Sequence, residues 1–143
     1  MEEERAKVGV GVLIIKGKKI LLVEDNEFNQ MVAVDTLHDI FQGIEVDVAE
    51  NGKVAIEKAS ANDYSFILMD IQLPDIDGFE ITRFIRSNFT EEKKNIRICA
   101  MTASVTKERI DECYAAGMND YLMKPFNPET LKEKVIRNAL GGE

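Results

Sequence analysis

Four short stretches carry side chains that could do chemistry together. They hold the adjacent acids Glu24 and Asp25, the aspartate Asp70, the hydroxyl of Thr102 and the ammonium of Lys124. Three carboxylates gathered in one place repel one another, and a hard divalent cation is the natural relief. Mg2+ takes oxygen ligands in near-octahedral geometry at about 2.0–2.1 Å, keeps several waters and often bridges to a phosphate. A lysine adds a mobile positive charge, and a threonine a hydroxyl that can donate a hydrogen bond. Carboxylates, metal, lysine and hydroxyl together are what in-line transfer of a phosphoryl group onto a carboxylate requires. Each residue alone has a plainer reading, an aspartate that starts a turn or a lysine on the surface. The chemistry needs a fold that brings all five to one edge.

Periodicity supplies such a fold. Phe66-Ile67-Leu68-Met69-Asp70 is a short apolar run that breaks at Pro74 and Gly78, the pattern of a strand buried on both faces. Strands are expected at Ile20–Glu24, Ile44–Ala49, Tyr64–Asp70, Ile96–Met101 and Asn119–Met123. Apolar residues at helical spacing predict helices at Asn29–Phe41, Gly52–Ala59, Gly78–Asn88 and Lys107–Ala116, the last stopped by Gly117. A fifth helix begins at its cap Asn127, with Pro128 in the first position and Leu131, Val135 and Ala139 on one face, and ends at Gly141-Gly142. Five strands alternating with five helices at short connections imply an α/β domain, a doubly wound parallel sheet with helices on both faces. Ligands of such sheets gather at the carboxyl ends of the strands. Those ends are where Glu24-Asp25, Asp70, Thr102 and Lys124 fall.

At this point the motifs resemble a known family. Leu21-Leu22-Val23-Glu24-Asp25-Asn26, Met69-Asp70-Ile71-Gln72-Leu73-Pro74-Asp75-Ile76-Asp77-Gly78, Met101-Thr102-Ala103 and Tyr121-Leu122-Met123-Lys124-Pro125-Phe126 look like the receiver domain of two-component response regulators, over about Lys19–Leu140. The resemblance implies a flavodoxin-like, five-stranded sheet in the order 2-1-3-4-5. It implies that Asp70 accepts a phosphoryl group from a histidine kinase or histidine phosphotransfer protein. Glu24, Asp25 and Asp70 would hold Mg2+, helped by the backbone carbonyl of Gln72. Thr102 would contact the phosphoryl group and Lys124 would neutralise it, while Ala103 leaves room. Gln72 and Ser104 stand where the family tunes phosphoryl lifetime, and the Lys124–Pro125 bond is expected to be cis. Phosphorylation would draw Thr102 inward, Tyr121 would fill the space vacated, and the surface of helix four, strand five and helix five would change.

Glu24-Asp25-Asn26 with Asn29-Gln30, and Gln72 two after Asp70, resemble receivers fused to hybrid sensor histidine kinases. A free-standing response regulator is the alternative. Residues 1–18 read as a linker or the remnant of an upstream domain, 19–140 as the receiver and 141–143 as a tail. Val8–Ile15 is compatible with an extra strand.

A net charge of −8 argues against direct nucleic-acid binding, which needs cations to neutralise phosphates. Val8–Ile15 is too short to span a bilayer, and the residues before it are mostly acidic, unlike a signal peptide. A cytoplasmic monomer or weak dimer is expected, alone or as the cytoplasmic part of a membrane-bound kinase. Cys99 and Cys113 offer no metal framework and read as reduced structural thiols. His38, the single histidine, is an ordinary helical residue with no phosphotransfer motif around it. Asp75 and Asp77 read as turn and helix-entry residues, and Glu91-Glu92-Lys93-Lys94 as a solvated loop. A rival function is a haloacid-dehalogenase-type phosphohydrolase with an aspartyl-phosphate intermediate. Such enzymes carry a second aspartate two residues after the nucleophile, where this chain has Gln72, which cannot transfer a proton. A degenerate receiver that only binds partners would not need the intact acids, threonine and lysine.

Overall fold

The computed structural model describes residues 13–14 and 18–141. Five strands, β1 (Lys19–Val23), β2 (Glu45–Ala49), β3 (Phe66–Asp70), β4 (Arg97–Thr102) and β5 (Asp120–Met123), form one parallel sheet in the order β2-β1-β3-β4-β5. Between and after them run α1 (Glu27–Ile40), α2 (Gly52–Ala61), α3 (Gly78–Asn88), α4 (Lys107–Ala116) and α5 (Pro128–Val135). The expected architecture and strand order are therefore borne out.

Alternation along each strand divides the core in two. Ile20, Leu22, Phe66, Leu68, Cys99, Met101 and Leu122 face α1 and α5, meeting Leu37, Leu131 and Val135. Leu21, Val23, Ile67, Met69, Ile98 and Ala100 face the other way, toward Ala55, Ile81, Ile85 and Cys113 of α2, α3 and α4. Every residue of β3 is buried, which is why its sequence is a continuous apolar run and not an alternating one.

Each of these five α-helices starts on a polar side chain that accepts a hydrogen bond from a backbone N–H of its first turn: Asn26, Asn51, Asp77, Thr106 and Asn127. Asp75 adds a cap in trans, accepting from the N–H groups of Gly52 and Lys53 at 2.8 and 3.0 Å, so it ties the β3–α3 loop to α2. Gly117 ends α4 at φ 108°, a left-handed conformation that glycine adopts without a steric penalty. At Gly78 the need is space. A Cβ there would lie 2.7 Å from the Asp70 carbonyl oxygen and 3.0 Å from Ile71 Cα, and the Gly78 N–H donates to Ile71 O at 2.8 Å.

Two expectations need correction. Phe41 leaves the first helix, and Phe41–Gln42 pairs in parallel with Leu13–Ile14 as a separate two-stranded ladder. Phe41 is fully buried there, so tertiary packing outweighs helical continuation. The rest of the expected Val8–Ile15 strand lies outside the described residues, as does most of the segment read as linker or remnant. The fifth α-helix stops at Val135 and widens into a π-helical turn over Ile136–Gly141. There the buried Asn138 amide donates to the Lys134 carbonyl, a group that a regular α-helix would give to its backbone ladder. The Glu91–Lys94 run is a turn with both glutamates exposed, as expected, and it is also tethered. Lys93 Nζ donates to Asn62 O at 2.8 Å, and Arg86 donates to Lys94 O at 2.6 Å and to Gly117 O at 2.7 and 3.0 Å.

Candidate functional site

The loops after β1, β3, β4 and β5 meet at one edge of the sheet. The last ladder bond of β1 is made by Glu24, whose N–H donates to Ala49 O at 3.0 Å. The chain then turns, so the two neighbouring acids need not point to opposite faces. Glu24 is 3% exposed and Asp25 lies open to solvent. Glu24, Asp25 and Asp70 each offer a carboxylate oxygen, and these atoms lie within 4.8 Å of one another. A hard cation with oxygen ligands about 2 Å away fits a cluster of that span.

Lys124 closes the group. Its Nζ lies 3.1 Å from Glu24 Oε1 and 3.1 Å from Asp70 Oδ2. Asp70 Oδ1 accepts from the Gln72 N–H at 3.1 Å, so both carboxylate oxygens are held. Burial raises the Asp70 carboxyl above its ordinary range; Lys124 offsets only part of this, and Glu24 pushes it further up. Burial would lower Lys124, but Asp70 and Glu24 more than compensate and it stays a firm ammonium. The pocket thus carries more negative charge than its one lysine neutralises. Glu24 is oriented in turn by the Asn26 N–H at 3.2 Å and Asn29 Nδ2 at 3.4 Å, and Gln30 Nε2 donates to the Glu24 carbonyl at 2.7 Å. The Lys124–Pro125 bond is cis, as expected.

Thr102 ends β4 almost wholly buried; its Oγ1 donates to Ser104 O at 3.0 Å and accepts from the Ser104 N–H at 3.1 Å. Ala103, Ser104 and Gln72 all border the space between Thr102 and Asp70. Tyr121 lies on the Thr102 side of the sheet by strand alternation. It is half-buried, its ring meets Tyr114 edge-on at 6.5 Å, and Lys134 Nζ sits 4.8 Å over its face. Of the residues read as structural, His38 is exposed in the last turn of α1 and Asp77 caps α3. Cys99 and Cys113 are buried and unpaired, and burial pushes both thiols up, away from nucleophilic reactivity. Arg109 of α4, which no sequence motif marked, also lines the space beside Asp70 and Thr102.

The family model for the response regulator receiver domain matches residues 20–136, and the chain belongs to that family. Over 156 aligned residues it is 35% identical to Arabidopsis thaliana histidine kinase 5, covering 92% of this chain and 16% of the kinase. It is 37% identical to the Dictyostelium discoideum hybrid signal transduction histidine kinase L, covering 87% of this chain and 7% of that protein. The chain thus spans a small part of these curated relatives. Among solved structures, it is similar to the receiver domain of a Pseudomonas aeruginosa sensor histidine kinase with a magnesium ion coordinated in the active site cleft. That likeness has 39% identity and a TM-score of 0.76, covering 86% of this chain and 98% of that one. A receiver domain solved with the histidine phosphotransfer protein of Saccharomyces cerevisiae is also similar (30% identity, TM-score 0.76, 85% and 88% covered).

Proposed function

We propose that this receiver takes a phosphoryl group from a phosphohistidine onto Asp70, as the phosphoacceptor module of a hybrid sensor histidine kinase. The observation that carries the reading is the buried Asp70–Lys124–Glu24 arrangement, with Asp25 beside it. An Asp70 carboxylate oxygen bonds to phosphorus as the phosphorus–nitrogen bond to the donor imidazole breaks, and that nitrogen keeps the electron pair. Lys124, already charged, balances the phosphoryl oxygens, and Thr102 can exchange Ser104 O for one of them. Glu24, Asp25, Asp70 and the Gln72 carbonyl would hold Mg2+. When bound, the ion supplies charge neutralisation for carboxylates and phosphoryl oxygens alike. Tyr121 would follow Thr102 and move the α4–β5–α5 surface.

The donor's docking is supported by α1. Phe28 is 66% exposed, Met31 53% and Val32 38%. Phe28 and Val32 line an apolar groove of about 420 Å3 that runs past Pro125 and Phe126 to Lys124. Exposed apolar surface of this kind marks protein contacts, and the similarity to a receiver solved with a phosphotransfer protein agrees. Self-phosphorylation and slow self-hydrolysis are then the only chemistry, with no external metabolite turned over. No helix among the described residues is long and apolar enough to cross a membrane, which is compatible with a cytoplasmic module.

Intact mass after incubation with acetyl phosphate and Mg2+ tests the reading. One phosphoryl adduct is expected, absent without Mg2+ and absent in Asp70→Asn. No adduct with rapid phosphate release would instead point to a hydrolase.

A further inference from the structure

Asp70 and Lys124 form a wall between two spaces of opposite character. On one side lies the open acidic cleft of Glu24 and Asp25. On the other, a cavity of about 140 Å3 runs between Thr102–Ser104 and α4, where Asp70 is the single carboxylate in the lining among the described residues and Arg109 stands with Lys124. Lys124 already answers two carboxylates at 3.1 Å each. Arg109 is held far more loosely. Its guanidinium lies 5.7 Å over the Phe79 ring, and Nη1 is 3.3 Å from Glu112, an exposed carboxylate one turn on. Exposed helical pairs of that spacing contribute only about 0.2–0.5 kcal/mol, so the tie is easily exchanged.

Turning a carboxylate into an acyl phosphate takes the local charge from one negative to about two, with three strong acceptor oxygens. A planar guanidinium recognises such a group with two parallel hydrogen bonds, which outcompete a solvated carboxylate contact. We propose that Arg109 is a phosphoryl-binding residue. Once Asp70 is phosphorylated, its guanidinium leaves Glu112, pairs with the phosphoryl oxygens from the α4 side, and lengthens the life of the aspartyl phosphate. This rests on Asp70 being the phosphoacceptor. The pairing covers the phosphoryl group against hydrolysis, in which a water oxygen bonds to phosphorus, the bond to Asp70 breaks, and phosphate and a proton are released. It also gives α4 a direct contact with the group whose state its surface reports.

The test uses the whole chain, charged with acetyl phosphate and Mg2+, then freed of donor and followed by intact mass. Arg109→Gln should shorten the adduct half-life about threefold or more, Arg109→Lys should shorten it less, and Glu112→Gln, which releases the guanidinium, should lengthen it. A purely structural arginine would not predict the last result. The Arg109 Nε–H signal in arginine-labelled protein should shift on phosphorylation, and not in Asp70→Asn. An adduct whose half-life in Arg109→Gln is unchanged or longer overturns the proposal alone. No adduct on the unaltered chain overturns it together with the reading beneath it.

Discussion

Two buried aspartates sit on the same face of the sheet at opposite ends, and their surroundings are inverted. At the carboxyl end, Asp70 shares one lysine with Glu24 and has Asp25 close by. At the amino end, Asp120 is alone among donors. Lys134 Nζ is 2.8 Å away, Arg137 Nη1 3.2 Å, Asn138 Nδ2 3.2 Å, and the Tyr121 N–H 2.9 Å. Burial would raise Asp120, but Lys134 and these hydrogen bonds more than offset it, and its carboxyl falls below the ordinary range. Asp70 moves the other way. A carboxylate with surplus donors is finished chemistry and serves the fold. One with surplus neighbours of its own sign still lacks positive charge, and that deficit fits it to take a cation, as the proposed role requires.

Removing Asp120 should break the comparison most severely. Asp120→Ala leaves two cations facing a buried gap, and losing one member of a buried pair costs about 3–5 kcal/mol. Because the Arg137 side chain is 58% exposed and can rehydrate, the lower end, about 3 kcal/mol by urea unfolding, is expected. Phosphoryl uptake per folded molecule should be unchanged; loss of uptake would mean that the two ends are not independent. Metal should sharpen the contrast by a smaller amount. Mg2+ at ten times its dissociation constant should raise unfolding free energy by about 1.4 kcal/mol, and not in Asp70→Asn. An equal rise in that variant would place the ion elsewhere.

The smallest effect is in pH. With a folded-state pKa below that of the unfolded chain, ionised Asp120 stabilises the protein above about pH 3.9. As pH falls through the lower folded value, that contribution is lost. Metal-free urea midpoints should therefore drop on acidification below about pH 4, with a shallower drop in Asp120→Asn. Equal slopes would show that this carboxylate is not the one responsible.

The two ends also differ in how far the chain betrays them. Glu24, Asp25, Asp70, Thr102 and Lys124 each close an apolar run, so strand periodicity alone placed them on one edge. The limits of α3 and α4 were readable from Gly78 and Gly117. The Asp120 network was not, because its partners Lys134, Arg137 and Asn138 come from α5 and the π-helical turn after it and meet it only when these dock. Arg109 escaped notice for the same reason: on a helix full of charges, nothing local says which one turns toward a cavity. Phe41 looked helical by spacing, and only the depth of its burial shows why it left the helix.

Gly78 has a mechanical consequence. With no side chain between α3 and the Asp70–Ile71 backbone, and with its N–H bonded to Ile71 O, the helix and the Asp70–Ile71 peptide form a stiff joint. A load applied to α3 therefore moves Asp70 with little slack. Any partner that grips this helix also has a handle on the aim of Asp70.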